Sequence, residues 1–454
     1  VYPPQPPQPP QPPQPPQPPQ RSPQQPPPQP PPQPQPQAAF VPGRPRGWQR
    51  PNHEVCYERF MAPAPGEFAT SLNGVVLPDV CFNGPAPHHV FVIGDWGGLL
   101  GPIPRPADDR RENTATFREF TQGVDDSAQQ RVAAQMRERA KRGAPDYILN
   151  VGDNFYWAGV EVHCGISPHA VRDFTGQWRD TFENIYTGYG IDGKQWLGVL
   201  GNHDYGGYLF HSGWDATIGY TWTQEPPSTG RWMTPAQYWA TTARYPGFRV
   251  DYFFVDTNTF GAVESAADQE HNICSQQHNH EAETCGVQGP TSREDCPKWF
   301  AKLWEEQKEW LDQGLSESIA DWQIVVTHYP PDWGTSTWVE LSTKHGIDLI
   351  ITGHVHSQGV HYLQPGNPMG PTAYIISGGG GGITSNLEPH EDGEDDAYGF
   401  MDLTLSREEI KVEAVSHTGL TRSVTCVRQR PRAGQAPVGL AGRSLCDPES
   451  VHHV

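Results

Sequence analysis

The sequence lacks several features that define common classes of protein. It has no run of about 18 apolar residues, so no transmembrane helix is expected. It also has no C-x-x-C pair and no N-x-S/T sequon, so neither a zinc ribbon nor N-linked glycosylation is expected. Basic residues are scarce, with 32 Lys and Arg against 52 Asp and Glu and a formal net charge of -20. Nucleic acids and anionic membranes bind basic surfaces, and neither is therefore an expected partner.

The acidic balance also limits how the chain could bind an anion. A phosphate-containing substrate would gain nothing from the overall field of the protein. Any phosphate site must supply positive charge locally, and bound metal ions are the obvious source.

The cysteines and the start of the chain indicate secretion. Eight cysteines, an even number, are typical of a disulfide-bonded protein from an oxidising compartment, although their pairing cannot be read from sequence. The chain begins at Val1 rather than Met and shows no signal peptide, as expected after removal of a leader. We therefore expect a secreted or extracellular protein, with the cell wall or matrix as specific locations.

Composition divides the chain into four segments. Residues 1–37 repeat P-P-Q with period three, which matches the three residues per turn of polyproline II and gives a segment of about 110 Å. This stalk is either a solvated spacer or a hydroxyproline-rich, O-glycosylated segment that self-associates or contacts a matrix. Residues 38–87 are interpreted as a linker, 88–430 as a catalytic domain and 431–454 as a C-terminal tail.

The catalytic segment has the pattern of an α/β protein. Apolar runs predict strands at His88–Gly94, Asp146–Gly152, Trp196–Gly201, Phe248–Asp256, Trp322–Thr327, Ile347–Thr352, Thr372–Ser377, Gly399–Ser406 and Ile410–Ser416. Helices are predicted from Asp126 to Gly143, over Pro168–Tyr186 and over Pro297–Ser318. The order of these elements predicts two β-sheets packed as a sandwich with helices outside.

Residues 262–296 are interpreted as an inserted loop. This stretch is polar and holds three cysteines together with His271, His278 and His280. The irregular spacing of the histidines favours a loop held by disulfides over a zinc site.

Five polar clusters follow predicted strands at their carboxyl ends. They are Gly94-Asp95-Trp96-Gly97, Gly152-Asp153-Asn154-Phe155-Tyr156, Gly201-Asn202-His203-Asp204, His328-Tyr329-Pro330 and Gly353-His354-Val355-His356. Ligand sites of open α/β sheets lie at these ends, so side chains distant in sequence are expected to meet there. Carboxylate, phenol, amide and imidazole groups are ligands for first-row metals. One such cluster alone would be weak evidence, but five in succession predict a metal site.

These clusters resemble those of the metallophosphoesterase superfamily and of its purple acid phosphatases in particular. Most superfamily members begin with G-D-x-H, whose histidine binds metal, whereas here Trp96-Gly97 follows Asp95. Tyr156, three residues after Asp153, replaces that donor, and a phenolate suits Fe(III). Similarity to the single-domain, mammalian tartrate-resistant subgroup rests on Arg231-Trp232-Met233 before Tyr238, on Asp256-Thr257 and on Gly399-Phe400. The resemblance covers residues 88–419 and implies an α/β/β/α sandwich.

The resemblance further implies a dinuclear metal centre. Asp95, Tyr156 and His356 would hold Fe(III), whereas Asn202, His328 and His354 would hold a divalent Fe, Zn or Mn ion, and Asp153 would bridge the two. Two such cations clamp the attacking and leaving oxygens of an in-line displacement. The expected function is an acid phosphatase that hydrolyses small phosphomonoesters or phosphoproteins by attack of a metal-bound hydroxide.

His203, adjacent to Asn202, is the candidate catalytic residue. It would contact phosphate and protonate the leaving alcohol, and the alternative is a histidine that only orients a ligand. The tartrate-resistant subgroup has a further histidine some nine residues after the H-Y-P histidine, but the stretch Pro331–Thr337 has none. Protonation of the leaving group would then depend on His203 alone, or on His203 with a contribution from Asp332.

Two other functions remain open from the sequence. The period-three stalk favours a fibre-forming glycoprotein subunit of an extracellular matrix, assembled through residues 1–37, with the phosphatase fold as a module. The same pair of metals would also serve a phosphodiesterase or nucleotide pyrophosphatase.

Overall fold

A computed structural model of the protein describes Trp48 and residues 55–98, 118–432 and 443–447. The predicted polyproline II stalk lies outside the described residues. The strands are β1 (Val75–Val76), β2 (Val80–Cys81), β3 (His88–Ile93), β4 (Pro145–Asn150), β5 (Trp196–Gly198), β6 (Trp232–Met233), β7 (Trp239–Tyr245), β8 (Phe248–Phe254), β9 (Trp322–Val326), β10 (Leu349–Thr352), β11 (Gln358–His361), β12 (Ala373–Ser377), β13 (Gly399–Leu405), β14 (Glu409–Ser416) and β15 (Thr421–Arg428). The α-helices are α1 (Ala128–Ala140), α2 (Trp214–Gly219), α3 (Cys296–Glu317) and α4 (Thr335–His345).

The strands form two sheets. One sheet has the order β1-β7-β8-β9-β10-β12-β11, with β2 also paired to β7, and the other has the order β15-β14-β13-β3-β4-β5-β6. Within them, β3, β4, β5 and β6 run parallel, as do β8, β9, β10 and β12. Each sheet therefore collects the carboxyl ends of several neighbouring strands along one edge.

The core explains why the sheets stack. Alternate residues of each buried strand point to opposite faces, so Val90 and Val92 of β3 share a buried apolar cluster with Ile324 and Val326 of β9 in the other sheet. The intervening residue Phe91 faces outward into a second cluster. The result is a closed apolar layer between the two sheets.

Helices cover the outer faces of both sheets. Val132 and Met136 of α1 pack on the outer face that contains Phe91. Leu311 of α3 and Trp338 of α4 pack on the outer face of the other sheet. The architecture is the predicted α/β/β/α sandwich, and the predicted strands from His88 onward are all found, with ends within a few residues of those expected.

The helix predicted over Pro168–Tyr186 is wrong. The structure has a 3₁₀ turn at Pro168–Ala170 and a π-helical turn at Trp178–Glu183. Between them Gly176 adopts a φ of 80°, a left-handed conformation that ends a right-handed helix. The Asp173 carboxylate then accepts hydrogen bonds from the backbone N–H groups of Trp178 and Arg179, both at 3.3 Å, and so marks a new helical start.

The sequence indicates a linker over residues 55–87, but in the structure these residues are folded. They include β1 and β2, which pair in parallel with β7. Phe60, Leu77 and Val80 are fully or almost fully buried in the core between the sheets. This segment therefore belongs to the folded unit that carries the clusters.

All eight cysteines form disulfides, as predicted from their even number. The pairs are Cys56–Cys81, Cys164–Cys285, Cys274–Cys296 and Cys426–Cys446. Two of these bonds hold residues 262–296, which confirms the interpretation of that stretch as a disulfide-pinned loop. The fourth ties residue 446 of the predicted tail to β15.

Candidate metal centre

The five clusters meet where the parallel strands end. Asp95 follows β3, Asp153 follows β4 and Asn202 follows β5, all from one sheet. His328 follows β9 and His354 follows β10, both from the other sheet. The sandwich thereby brings together side chains that are separated by up to 261 positions, as the sequence predicted.

Three of the candidate ligands form one group. The Tyr156 hydroxyl oxygen lies 3.1 Å from Asp95 Oδ1 and 3.5 Å from His356 Nε2. His356 Nε2 lies 3.7 Å from the same Asp95 oxygen. Two oxygens and one imidazole nitrogen thus face a common point.

Three others form a second group around Asn202. Its side-chain oxygen Oδ1 lies 3.1 Å from His328 Nε2 and 3.0 Å from His354 Nδ1. The opposite ring nitrogen of His328, Nδ1, donates a hydrogen bond to the carbonyl oxygen of Val151 at 2.7 Å. In the neutral imidazole this bond leaves the lone pair on Nε2, the nitrogen that faces Asn202.

Asp153 joins the two groups. Its Oδ2 lies 2.9 Å from the Tyr156 hydroxyl and 3.4 Å from His328 Nε2, one member of each group. Its Oδ1 accepts a hydrogen bond of 2.8 Å from the backbone N–H of His203, which holds the carboxylate in place. The carboxylate expected to bridge two ions therefore lies between the two sets of donors.

Backbone strain coincides with the site. Five non-glycine residues among those described have a positive φ, and three of them are Asp95 at 57°, Asp153 at 53° and His354 at 68°. The left-handed region disfavours residues with a Cβ, and such strain is retained mainly at functional sites. The strand ends are bent sharply at the residues whose side chains converge.

A glycine run packs directly against this bend. Gly382 N–H donates to the Asp95 carbonyl at 2.8 Å, and Gly380 N–H donates to the Gly94 carbonyl at 3.1 Å. A Cβ added at Gly378 would overlap the Val355 carbonyl, so the backbones are in close contact. This glycine run therefore forms part of the wall of the site.

Trp96 directly follows Asp95 at the carboxyl end of β3. Its ring is fully buried, and its Nε1–H donates to Asn150 Oδ1 at 2.9 Å. Asn150 in turn donates to Asn154 Oδ1 at 2.5 Å, and Asn154 donates to Asp204. This chain of hydrogen bonds connects the ends of β3, β4 and β5. Sequence reasoning had missed Asn150, and its position as the last residue of β4 was the available signal.

Burial and charge shift the pKa values of the carboxylates in opposite directions. Burial raises the pKa of Asp95 well above its ordinary value, and the Asp153 charge adds to the effect. Burial would also raise the pKa of Asp153, but neighbouring His328 and His203 lower it below its ordinary value. Asp153 is therefore the carboxylate that most readily holds a negative charge.

The pKa values of the histidines are also shifted in opposite directions. Burial alone would lower the pKa of His328, but the Asp153 carboxylate raises it to about 9. Burial lowers the pKa of His356 to about 4, and burial together with His328 lowers the pKa of His354 well below its ordinary value. His354 and His356 are thus neutral imidazoles at physiological pH, the form that binds metal.

His203 lies beside the joined groups. Its ring centroid is 4.4 Å from that of Tyr156, and its Nδ1 lies 2.5 Å from the carbonyl oxygen of Trp157. Donation by Nδ1–H to that carbonyl places the lone pair of the neutral ring on Nε2. Asp332, by contrast, is exposed, and the ionisable groups that its charge influences are His361 and Tyr374.

The arrangement of these candidate ligands suits bound metal ions better than it suits hydrogen bonds among the side chains themselves. Oxygen and nitrogen atoms of these seven side chains face each other within 2.9–3.7 Å. Asp95, Asp153 and His356 each offer a ligand atom within 4.8 Å of the others. Clustered buried acceptors of this kind are stabilised by a cation, and the donor types suit first-row metals.

A two-sheet sandwich with such a cluster at its strand ends has the organisation of a phosphoesterase. The chain belongs to the calcineurin-like phosphoesterase family, which matches residues 88–358. Human tartrate-resistant acid phosphatase type 5 is 25% identical over 385 residues, which span 80% of this chain and 97% of that protein. Purple acid phosphatase 7 of Arabidopsis thaliana is 26% identical over 335 residues, or 71% of this chain and 80% of that one.

A solved structure, that of the Plasmodium inner-membrane-complex anchor GAP50, aligns with a TM-score of 0.49 and 18% identity over 77% of this chain and 90% of that one.

The family match confirms the predicted metallophosphoesterase assignment. The similarity to the two acid phosphatases supports the assignment of this chain as a hydrolase of the phosphoesterase family. Within the described ranges, no helix has the length and apolar character needed to cross a membrane.

Proposed function

We propose that the protein is a secreted acid phosphatase that hydrolyses phosphomonoesters at a centre of two metal ions. The observation that carries the proposal is the division of seven side chains into two groups of three that share Asp153. Four disulfides and the similarity to acid phosphatases support an extracellular location and an acid phosphatase activity.

Each group suits a different ion. Asp95, Tyr156 and His356 offer a carboxylate, a phenol and an imidazole, and the two anionic oxygens favour trivalent iron. Asn202, His328 and His354 offer a neutral oxygen and two imidazoles, which suit a divalent ion such as Fe, Zn or Mn. When bound, the pair of cations would neutralise the phosphate and acidify a water molecule.

The chain's own residues would then orient the reaction. The strained backbone at Asp95, Asp153 and His354 fixes the directions of these side chains before substrate arrives. His203 is held by the Trp157 carbonyl so that Nε2 is the nitrogen available to phosphate or to the leaving oxygen. Burial lowers the pKa of His203, and an arriving phosphate dianion would raise it again and favour the protonated form.

The first test measures metals and activity together. Purified protein is assayed for iron and zinc, for a visible tyrosinate–iron band, and for hydrolysis of an aryl phosphate monoester and a bis-aryl diester at pH 5 and pH 8. Iron, colour and faster monoester hydrolysis at pH 5 are expected. Colourless, iron-free protein that leaves the monoester intact at pH 5 would refute the proposal, whereas a preference for the diester would favour the phosphodiesterase alternative.

The second test addresses His203. His203→Gln retains an amide that can donate to the Trp157 carbonyl but removes the titratable nitrogen. Loss of a general acid lowers kcat by about 10²–10⁴-fold. His169→Gln, at an exposed position, is the matched control and should leave kcat unchanged. A His203→Gln enzyme with normal metal content and a kcat within threefold of wild type would assign His203 to positioning alone.

A further inference from the structure

A second group of potential ligands lies outside the centre described above. His163, His211 and Glu283 each place a ligand atom within 4.8 Å of those of the other two. His163 belongs to the loop after β4, His211 to the loop after β5 and Glu283 to the inserted loop. These three segments share no sequence motif, so the group is visible only in the folded chain.

The positions of the three residues are fixed by covalent and backbone contacts. The Cys164–Cys285 disulfide joins the residue after His163 to a residue two positions beyond Glu283. The backbone N–H of Cys164 donates to the His211 carbonyl at 2.9 Å, and His163 forms an antiparallel bridge with Ser212. The side chains are therefore held together independently of any ion.

The hydrogen bonding of His163 orients it to act as a ligand. His163 Nδ1 lies 2.8 Å from the carbonyl oxygen of Cys164, so Nδ1–H donates there and Nε2 carries the lone pair. A metal-binding histidine usually has this arrangement, in which the opposite nitrogen donates to a backbone carbonyl. His163 Nε2 lies 3.4 Å from Glu283 Oε2, and the His163 and His211 rings lie parallel with centroids 5.4 Å apart.

We propose that His163, His211 and Glu283 form a zinc-binding site separate from the phosphoesterase centre. Two imidazoles and one carboxylate are a common set of protein ligands for Zn(II), with a fourth position left for water. His163 and Glu283 are accessible to solvent, so an ion can enter. The assignment does not depend on the proposed phosphatase activity.

The location gives the ion a structural consequence. The segments that carry the three ligands also carry Trp157, Tyr208 and His278, whose rings stack in sequence with centroids 6.3 Å and 5.0 Å apart. Trp157 in turn holds His203 through its carbonyl oxygen. Zinc would therefore cross-link the three loops that form the wall beside His203.

The test compares zinc content among matched variants. Wild type, His163→Gln, Glu283→Gln and the exposed-histidine control His169→Gln are equilibrated with Zn(II), desalted and analysed by mass spectrometry for zinc per chain. Because both main-centre occupancy and any loose binding are common to all four proteins, the differences report this site alone. Wild type and His169→Gln should each hold one more zinc than the other two. Equal zinc in all four proteins would overturn the proposal.

A second readout follows the loops. Hydrogen exchange of residues 278–285 should slow on addition of zinc in wild type and stay unchanged in Glu283→Gln. Removing a ligand should weaken zinc binding by about a hundredfold or more, since loss of a ligand's supporting hydrogen bond already costs 10–100-fold. Equal exchange rates with and without zinc in the wild type would also contradict the site.

Discussion

The Tyr156→Phe substitution isolates one oxygen atom of the candidate centre. Phenylalanine keeps the ring and its packing against His203 but removes the hydroxyl that lies 3.1 Å from Asp95 and 2.9 Å from Asp153. A hydroxyl donates one proton, so one hydrogen bond to a carboxylate is lost. Such a bond contributes about 1.5–3 kcal/mol, and the metal-free variant should be less stable than metal-free wild type by that amount.

The metal-loaded proteins should differ more clearly. If the phenol oxygen is a ligand, Tyr156→Phe should lose the visible band and its trivalent iron, while the divalent ion at the Asn202 group is retained. Tyr329→Phe is the matched control, because its ring packs against His354 at a centroid distance of 3.9 Å and the same single oxygen is removed. It should keep both colour and iron. Urea unfolding and metal analysis provide the assays, and a Tyr156→Phe protein with wild-type iron and colour would refute the assignment of this tyrosine.

Two further predictions concern the scaffold. Gly97→Ala should lower stability by about 1–3 kcal/mol and reduce phosphatase activity, because the added Cβ would overlap a backbone carbonyl on the facing loop, whereas Gly84→Ala, with nothing within 4 Å, should change neither. Asp402→Asn should cost about 1.5–3 kcal/mol at pH 7, since it removes one of the two carboxylates that pair with Arg139, at 2.6 Å, while Glu413 remains as the other. Burial would raise the pKa of Asp402, but His89 and Arg139 lower it, so its contribution is present above the ordinary pKa of 3.8 and is lost as the pH falls below it. The free energy of unfolding, measured from pH 7 to pH 3, should therefore depend less on pH in Asp402→Asn than in wild type. An equal loss of stability at acid pH in both proteins would contradict the ion pair.

The sequence predicted which side chains meet at the strand ends because its signal is local. Each of the five clusters follows an apolar strand, and the direction of parallel strands determines which ends meet. Asp95 and His354 could therefore be assigned to one site although they are 259 positions apart. Their roles as ligands, like that of His203, remain predictions that metal analysis can test.

The parts that sequence did not predict depend on contacts between distant segments. β1 and β2 have only two residues each and exist because β7 pairs with both, so they carry no periodic pattern of their own. The stretch 168–186 has helical composition, but the left-handed backbone at Gly176 and the Asp173 side chain divide it. The His163 group likewise combines three loops through a disulfide whose pairing the sequence could not specify.

The candidate centre and the acidity of the chain have a common physical explanation. Asp95 and Asp153 are fully buried, and the hydrogen bonds that the described residues donate to them come from a phenol, two backbone N–H groups and histidine, with no lysine or arginine among them. Burying carboxylates without basic partners is unfavourable, so cations at this position would stabilise the folded chain as well as attract phosphate. A basic side chain would neutralise the carboxylates, but it would fill the space that metal ions need and would pair with the negative charge that attracts them. With such ions bound, a strongly acidic protein would attract an anionic substrate through the strand ends rather than through its surface.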